Sequence, residues 1–170
     1  RQRVKKKVTE KEYFCECVRQ NEGSMYTLAM GILKNEADAA DAMQDAILKA
    51  YCNLDQLKDR NRFRSWILSI VHNTAIEYIR KRKDTADFEI QDDLVSPEPA
   101  VDTATRLTVW DGIQRLKLPY RTVIILFYYE NYSVRQIAEV THTSVIAIKQ
   151  QLSRGRKMLA QLLNKEDFVQ

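Results

Sequence analysis

The side chains best suited to recognising another molecule lie near the end of the chain, in the segment SVIAIKQQLSRGRK (144–157). At 100° per residue, one side of a helix over this segment is apolar, whereas the other side is largely polar and cationic. The outward set is Ile146, Lys149, Gln150, Ser153, Arg154 and Lys157. Amide and guanidinium groups pair with base edges in the DNA major groove, and cations bind phosphates. The pattern predicts DNA recognition, and an ordinary solvated helix face is the alternative.

Two helices joined by a tight corner must position this face. The residues SVRQ (133–136) match a capping box, which predicts a short helix over 133–140. Ser144 is predicted to cap a last helix that runs to about residue 163. His142 stands at the corner, where Gly is usual, and His adopts the left-handed conformation more readily than β-branched residues do. The arrangement predicts a helix-turn-helix, in which the second helix enters the groove.

A second polar stripe lies on a helix predicted over 62–83. Its members are Ser69, Asn73, Glu77 and Arg80, at spacings of four, four and three. The basic residues around the helix are Arg60, Arg62 and Arg64 at its start and RKRK (80–83) at its end. These cations could hold a phosphate backbone while Asn73 reaches a base; the alternative is that RKRK only complements the helix dipole. Trp66 is interpreted as a core residue.

Helical periodicity throughout, with only 4 Gly and 3 Pro, predicts an all-α fold in two bodies. The first has four predicted helices, at about 9–20, 22–34, 36–54 and 62–83. The second also has four, at about 102–117, from Pro119 onwards, over 133–140 and over 144–163. We expect two small helical domains, 1–83 and 102–170, joined by a flexible acidic linker over 84–101.

The charge distribution supports this division. Residues 1–83 hold 17 Lys/Arg and 11 Asp/Glu, 84–101 hold six acids and no base, and 102–170 hold 10 Lys/Arg and six acids. Two basic bodies are typical of polyanion binding. No apolar run is long enough for a membrane span, and the basic start of the chain lacks the apolar segment of a signal peptide. Because the sequence does not begin with Met, we expect trimming or an incomplete start.

Several kinds of site are not expected. Three cysteines, an odd number, favour reduced thiols in the cytoplasm, and with two histidines they make no plausible zinc set. An acidic face on the third helix, Asp38, Asp41 and Asp45, is interpreted as a solvent or partner surface rather than a metal site. There is no Gly-rich phosphate loop and no recognisable nucleophile. We therefore expect no metal, no cofactor and no enzymatic activity.

Taken in order, three segments resemble the extracytoplasmic-function (ECF) sigma factors of bacterial RNA polymerase. NEADAADAMQDAILKAYCNL (35–54) and FRSWILSIVHNTAIEYIRKRK (63–83) resemble parts of region 2. LPYRTVIILFYYENYSVRQIAEV followed by SVIAIKQQLSRGRKML resembles region 4. The resemblance spans nearly the whole chain, and only these two regions are present. The corner that is usually Leu-Gly-Ile-Ser in the family is here Thr-His-Thr-Ser (141–144), and Ile146 replaces a common Gly.

The resemblance implies a promoter-specific transcription initiation factor without catalytic activity, and it assigns roles to three sets of residues. Against the clamp helices of the largest polymerase subunit it places Asp41, Gln44, Asp45 and Lys49. At the minus-10 element, which the factor helps to melt, it places Arg60, Asn61, Arg62, Ser69, Asn73 and Arg80. In the major groove of the minus-35 element it places Ser144, Lys149, Gln150, Ser153, Arg154 and Arg156.

The implied partners are core RNA polymerase, through its clamp helices and flap, promoter DNA and a cognate anti-sigma factor, without membrane insertion. The acidic linker would follow the basic channels of the polymerase. Two alternatives stay open. One is a stand-alone helix-turn-helix regulator that binds duplex DNA without polymerase, and the other is a protein-interaction module that has lost DNA binding.

Overall fold

The computed structural model describes residues 8–85 and 108–167, which form seven α-helices and no β-strand. The helices are α1 (Glu10–Leu33), α2 (Glu36–Cys52), α3 (Phe63–Thr85), α4 (Val109–Arg115), α5 (Tyr120–Tyr128), α6 (Val134–Thr141) and α7 (Val145–Asp167). Two short 3-10 helices, Leu54–Gln56 and Arg60–Arg62, connect α2 to α3. The all-α class is confirmed. Of the predicted linker, only residues 84 and 85 are described, and they belong to α3; 86–101 lie outside the described residues.

The first bundle consists of α1, α2 and α3, which pack against one another. The predicted break near residue 21 is wrong, because α1 continues through it. Gly23 costs a helix about 1 kcal/mol relative to Ala, but Phe14 before it and Met25 and Leu28 after it are buried on the same helix. Burial of a side chain of that size contributes about 1.5–3 kcal/mol, so packing outweighs the local preference. The capping box between Thr9 and Glu12 is confirmed.

The second bundle consists of α4 to α7 and is built around α5. Four consecutive residues of α5, Val123 to Leu126, are buried, together with Ile137 of α6 and Ile148 of α7. The predicted helix-turn-helix is confirmed in the geometry of α6 and α7. Ser133 and Gln136 form the predicted capping box, and the Ser144 hydroxyl accepts a hydrogen bond from the Ala147 amide at 3.2 Å.

The two bundles pack against each other, α1 on α5 and α3 on α6. Arg121, buried at the start of α5, donates hydrogen bonds to the carbonyls of Gly31, Ile32 (2.7 Å) and Leu116 (2.6 Å). The carbonyls at the end of a helix have no partner within it, so a cation from the second bundle satisfies the end of α1. Burial lowers the pKa of Arg121 to about 10. The sequence did not predict this contact.

Candidate nucleic-acid interface

The outer face of α7 carries the polar set predicted from the sequence. Lys149, Gln150, Ser153 and Arg154 are all exposed. On the opposite side Ile148 and Leu152 are buried, which fixes the rotation of the helix. The cap at Ser144 fixes its start. The structure therefore brings an amide, a hydroxyl and cations together on one surface.

Arg156, also predicted to lie at this surface, has partners within the second bundle. Its guanidinium lies over the rings of Phe127 (4.9 Å to the centroid) and Tyr128 (5.6 Å), and its Nε donates to the Tyr128 hydroxyl at 2.8 Å. A planar guanidinium held in this way presents a fixed charge at the flank of the α7 face. The aromatic residues that hold it were not predicted.

The corner between α6 and α7 has the left-handed conformation expected at His142, with φ 52° and ψ 41°. Its side chain reaches the first bundle. The Nε2 atom lies 2.9 Å from the Ser69 hydroxyl and 3.4 Å from the side-chain nitrogen of Asn73. These contacts join the helix-turn-helix to the polar stripe of α3.

A third member of the candidate minus-10 set is also engaged by the second bundle. Arg62 pairs with Glu139 of α6 at 2.8 Å. Arg60 remains within the first bundle, where its guanidinium lies 4.3 Å from the centroid of the Tyr13 ring. Asn61 and Arg80 are exposed. Ser69, Asn73 and Arg62 thus all contact α6 or its corner in this structure.

Arg64, the third arginine before α3, makes the most enclosed ion pair between the two bundles. It pairs with Glu130 at 2.7 Å, and the Glu130 side chain is only 5% exposed. Its guanidinium also lies 5.1 Å from the centroid of the Tyr132 ring. Removing one partner of such a pair leaves a buried charge unpaired, so this contact fixes the orientation of the two bundles.

Asn73 also lines an open cleft of about 300 Å³ between α2 and α3. The cleft is lined by Lys49, Asn53, Gln56, Trp66, Ile70, Asn73, Thr74 and Glu77. Trp66, interpreted from the sequence as core, is half-buried: it packs on Phe63 with ring centroids 5.8 Å apart and still borders the cleft.

Lys49 belongs to this cleft as well as to the exposed side of α2. Its Nζ donates to Glu77 at 2.8 Å and to the Thr74 hydroxyl at 3.4 Å. Thr74 is buried. Neither Thr74 nor the pairing of Lys49 with Glu77 was predicted, because 25 residues or more separate the partners and no local pattern joins them.

His72, next to Asn73 on α3, is half-buried. Burial lowers the pKa of His72, opposed by a hydrogen bond with Asn73 and reinforced by His142. Its Nδ1 lies 3.3 Å from the Asn73 side-chain oxygen. The neutral imidazole therefore buttresses Asn73 from behind.

The candidate polymerase-binding residues lie along α2 and are exposed. Asp45 accepts a hydrogen bond from the Tyr78 hydroxyl at 2.6 Å, which, with some burial, raises the pKa of Tyr78 to about 12. Asp41 and Gln44 face outward. Beside Gln44 is an apolar hollow of about 370 Å³ that the sequence did not predict, lined by Lys11, Phe14, Cys15, Gln44, Ile47, Leu48 and Tyr51. Its signal was Leu48, which lies off the buried stripe of α2 and is 63% exposed.

Within 8–85 and 108–167, no cluster of His, Cys, Asp and Glu is suited to hold a metal ion. None of the helices formed by these residues is long and apolar enough to span a membrane.

Comparison with known proteins assigns both bundles. Residues 17–85 match the family model of Sigma-70 region 2, and residues 106–159 match that of Sigma-70 region 4. The chain is 32% identical to the ECF RNA polymerase sigma factor SigW of Bacillus subtilis over 182 residues, covering 96% of each chain. It is 29% identical to the RNA polymerase sigma factor SigV of the same organism, covering 97% of this chain and 99% of SigV.

Two solved structures share the fold. The sigma factor RpoE of Bartonella quintana, in complex with the anti-sigma factor NepR, superposes with a TM-score of 0.71 at 23% identity, covering 89% of this chain and 96% of RpoE. CnrH, in complex with the cytosolic domain of CnrY, gives a TM-score of 0.64 at 23% identity, covering 89% of this chain and 88% of CnrH. Together with the nearly full-length similarity to SigW, the two region matches show that the chain belongs to the ECF sigma factors of bacterial RNA polymerase.

Proposed function

We propose that this protein is a promoter-specific transcription initiation factor that binds core RNA polymerase, recognises the minus-35 and minus-10 elements and assists promoter melting. It acts in the cytoplasm and catalyses no reaction itself. The observation that carries the proposal is the exposed polar face of α7, presented by a capped helix-turn-helix. Residues 1–83 supply the polymerase and minus-10 functions, and residues 102–170 supply the minus-35 function.

At the minus-35 element α7 enters the major groove with its N-terminal half. Gln150 pairs with a base edge, while Lys149 and Arg154 bind guanine or phosphate. Ser153 donates to either a base or the backbone. Arg156, held by Phe127 and Tyr128, binds a phosphate at the edge of the groove. Ser144 acts through its cap, which keeps the start of α7 in place.

At the minus-10 element the cleft beside Asn73 receives an unstacked base of the non-template strand. Trp66 offers an aromatic edge, and the Asn73 amide offers both a donor and an acceptor. Ser69 and Arg80 lie along the same side of α3, so they follow the strand on either side of that base. Arg60, Asn61 and Arg62 bind phosphates where the strand approaches the first bundle.

Polymerase binds on α2. Asp41 and Gln44 are directed outward, and the adjacent hollow around Leu48 offers an apolar surface to a helical partner. Asp45 is already oriented by Tyr78, which lowers the entropic cost of forming a contact there. Lys49 lies at the boundary between this surface and the minus-10 cleft. The second bundle binds the polymerase flap.

An anti-sigma factor is the expected regulatory partner. The structurally similar RpoE is complexed with the anti-sigma factor NepR. In the present structure Ser69, Asn73 and Arg62 are occupied by residues of the second bundle, so their use at a promoter requires the bundles to separate. A partner that holds them together would keep the factor inactive.

The function is tested by measuring promoter binding with and without core polymerase. We expect sequence-specific binding by the holoenzyme and weak binding by the factor alone. Tight, sequence-specific binding of duplex DNA without polymerase would instead identify a stand-alone helix-turn-helix regulator.

A further inference from the structure

Ile146, the second residue of α7, has no packing role that explains its size. It is 71% exposed, more than any other large hydrophobic residue in the described parts of the chain. A buried isoleucine contributes about 1.5–3 kcal/mol to folding, and little of that is gained here. A β-branched residue at an exposed position also favours a helix less than Ala does. The fold alone does not account for an apolar side chain at this position.

The position of Ile146 on α7 places it in the middle of the polar face. Ser153 follows seven residues later, about two helical turns, and therefore lies almost directly beyond it. Lys149 and Gln150 flank the line between them at spacings of three and four. The neighbours of Ile146 in sequence, Val145 and Ala147, are half-buried, so Ile146 alone projects from this turn. It is an apolar point within a surface suited to DNA.

The charge around Ile146 selects the kind of partner. Lys149, Arg154 and Lys157 are exposed cations on the same side of α7, and Arg135 on α6 is also exposed. Such surroundings favour a polyanion over an apolar protein surface. In the DNA major groove, the apolar group on a base edge is the C5-methyl of thymine. The N-terminal residues of a recognition helix are those that meet base edges.

We propose that Ile146 contacts the C5-methyl group of a thymine in the minus-35 element and determines the preference for thymine at that position. This inference rests on the proposed function, because it requires α7 to enter the major groove. The contact adds an apolar component to a recognition surface that otherwise reads DNA through hydrogen bonds and charge.

The test replaces each thymine of the minus-35 element, one at a time and on both strands, with deoxyuridine, which lacks only the methyl group. Binding of the holoenzyme to each duplex is measured for the wild type, for Ile146→Ala and for Ile76→Ala. Ile76 is an exposed isoleucine on α3 and serves as the matched control. Because Ile146 is exposed, its replacement leaves the core intact.

We expect one deoxyuridine substitution to weaken binding by the wild type about fourfold, the size expected for burial of one methyl group. The same substitution should leave Ile146→Ala unaffected and should weaken Ile76→Ala as it does the wild type. The proposal is overturned if no position is sensitive in the wild type, or if the sensitivity persists in Ile146→Ala. If Gln150→Ala still alters promoter preference in that case, the minus-35 function stands and only the role of Ile146 fails; loss of all sequence preference in the wild type overturns both.

Discussion

The imidazole Nε2 of His142 lies 2.9 Å from the hydroxyl oxygen of Ser69. One residue belongs to the corner of the helix-turn-helix, and the other belongs to the candidate minus-10 stripe of α3. The same imidazole also reaches Asn73 at 3.4 Å. The two DNA-binding parts of the protein therefore share a contact while the bundles are packed together, and neither partner is available to DNA at that point.

The first prediction concerns this contact. In His142→Gly the imidazole is removed, while Gly suits the left-handed backbone at φ 52°. Each hydrogen bond contributes about 0.5–1.5 kcal/mol, so we expect the free protein to bind single-stranded minus-10 oligonucleotides about five- to tenfold more tightly. Fluorescence anisotropy measures this. Thr143→Ala changes the same corner without touching α3 and should have no effect; equal affinities for His142→Gly and the wild type would contradict the account.

The second prediction concerns the packing of α1 on α5. A Cβ atom at Gly31 would clash with the Cδ1 of Ile125, which is fully buried, so Gly31→Ala should strain the contact between the bundles by about 1–3 kcal/mol. We expect faster proteolysis between the bundles and a larger radius of gyration in solution scattering.

Two companion variants test the cause. Ile125→Val removes the clashing Cδ1 and should restore the compact form when combined with Gly31→Ala. Gly23→Ala adds a methyl on the same helix with nothing within 4 Å, and it should stabilise α1 by about 0.5–1 kcal/mol. A compact Gly31→Ala single variant would show that the clash is relieved without separation.

The third prediction concerns the face of α7. Lys149→Ala, Gln150→Ala and Arg154→Ala should each weaken minus-35 binding by the holoenzyme by about 1–3 kcal/mol for every base that the side chain recognises. Gln150→Ala should relax the preference at one base pair, whereas removal of a phosphate-binding cation should reduce the salt dependence. A gel shift with salt titration separates the two effects. Arg19→Ala, which removes an exposed cation on α1, should change neither; unchanged binding by all three α7 variants would refute the assignment.

The fourth prediction concerns pH. Burial lowers the pKa of His72 below its ordinary value of 6.5. Above pH 6.5 the imidazole is neutral in both states and has no effect. As pH falls below 6.5 the unfolded chain takes up a proton that the folded protein resists, so the free energy of unfolding decreases. Urea unfolding at pH 7.5 and 5.5 should show a smaller acid loss in His72→Gln than in the wild type. Equal losses would mean that His72 is not the group responsible.

Local patterns in the sequence predicted the elements that position the α7 face. Ser133 with Gln136 and Ser144 satisfy helix ends within three residues of themselves, so their spacing is enough to identify them. The break predicted near residue 21 failed because burial along the whole of α1 outweighs a local preference.

The contacts between the bundles could not be predicted in this way. Arg121 reaches Gly31 across 90 residues, and His142 reaches Ser69 across 73, and both depend on how completed helices pack. Trp66 shows the same limit within one bundle. Its helical spacing indicated the core, but only the path of α2 leaves its edge open to the cleft.

The most direct test of the central claim is run-off transcription with core RNA polymerase over a library of promoters, with and without this protein. The account predicts transcripts that require both components and share paired minus-35 and minus-10 motifs. It further predicts that Asn73→Ala and Gln150→Ala reduce those transcripts. Transcription that does not depend on the protein, or no transcription when core enzyme and protein are combined, would contradict it.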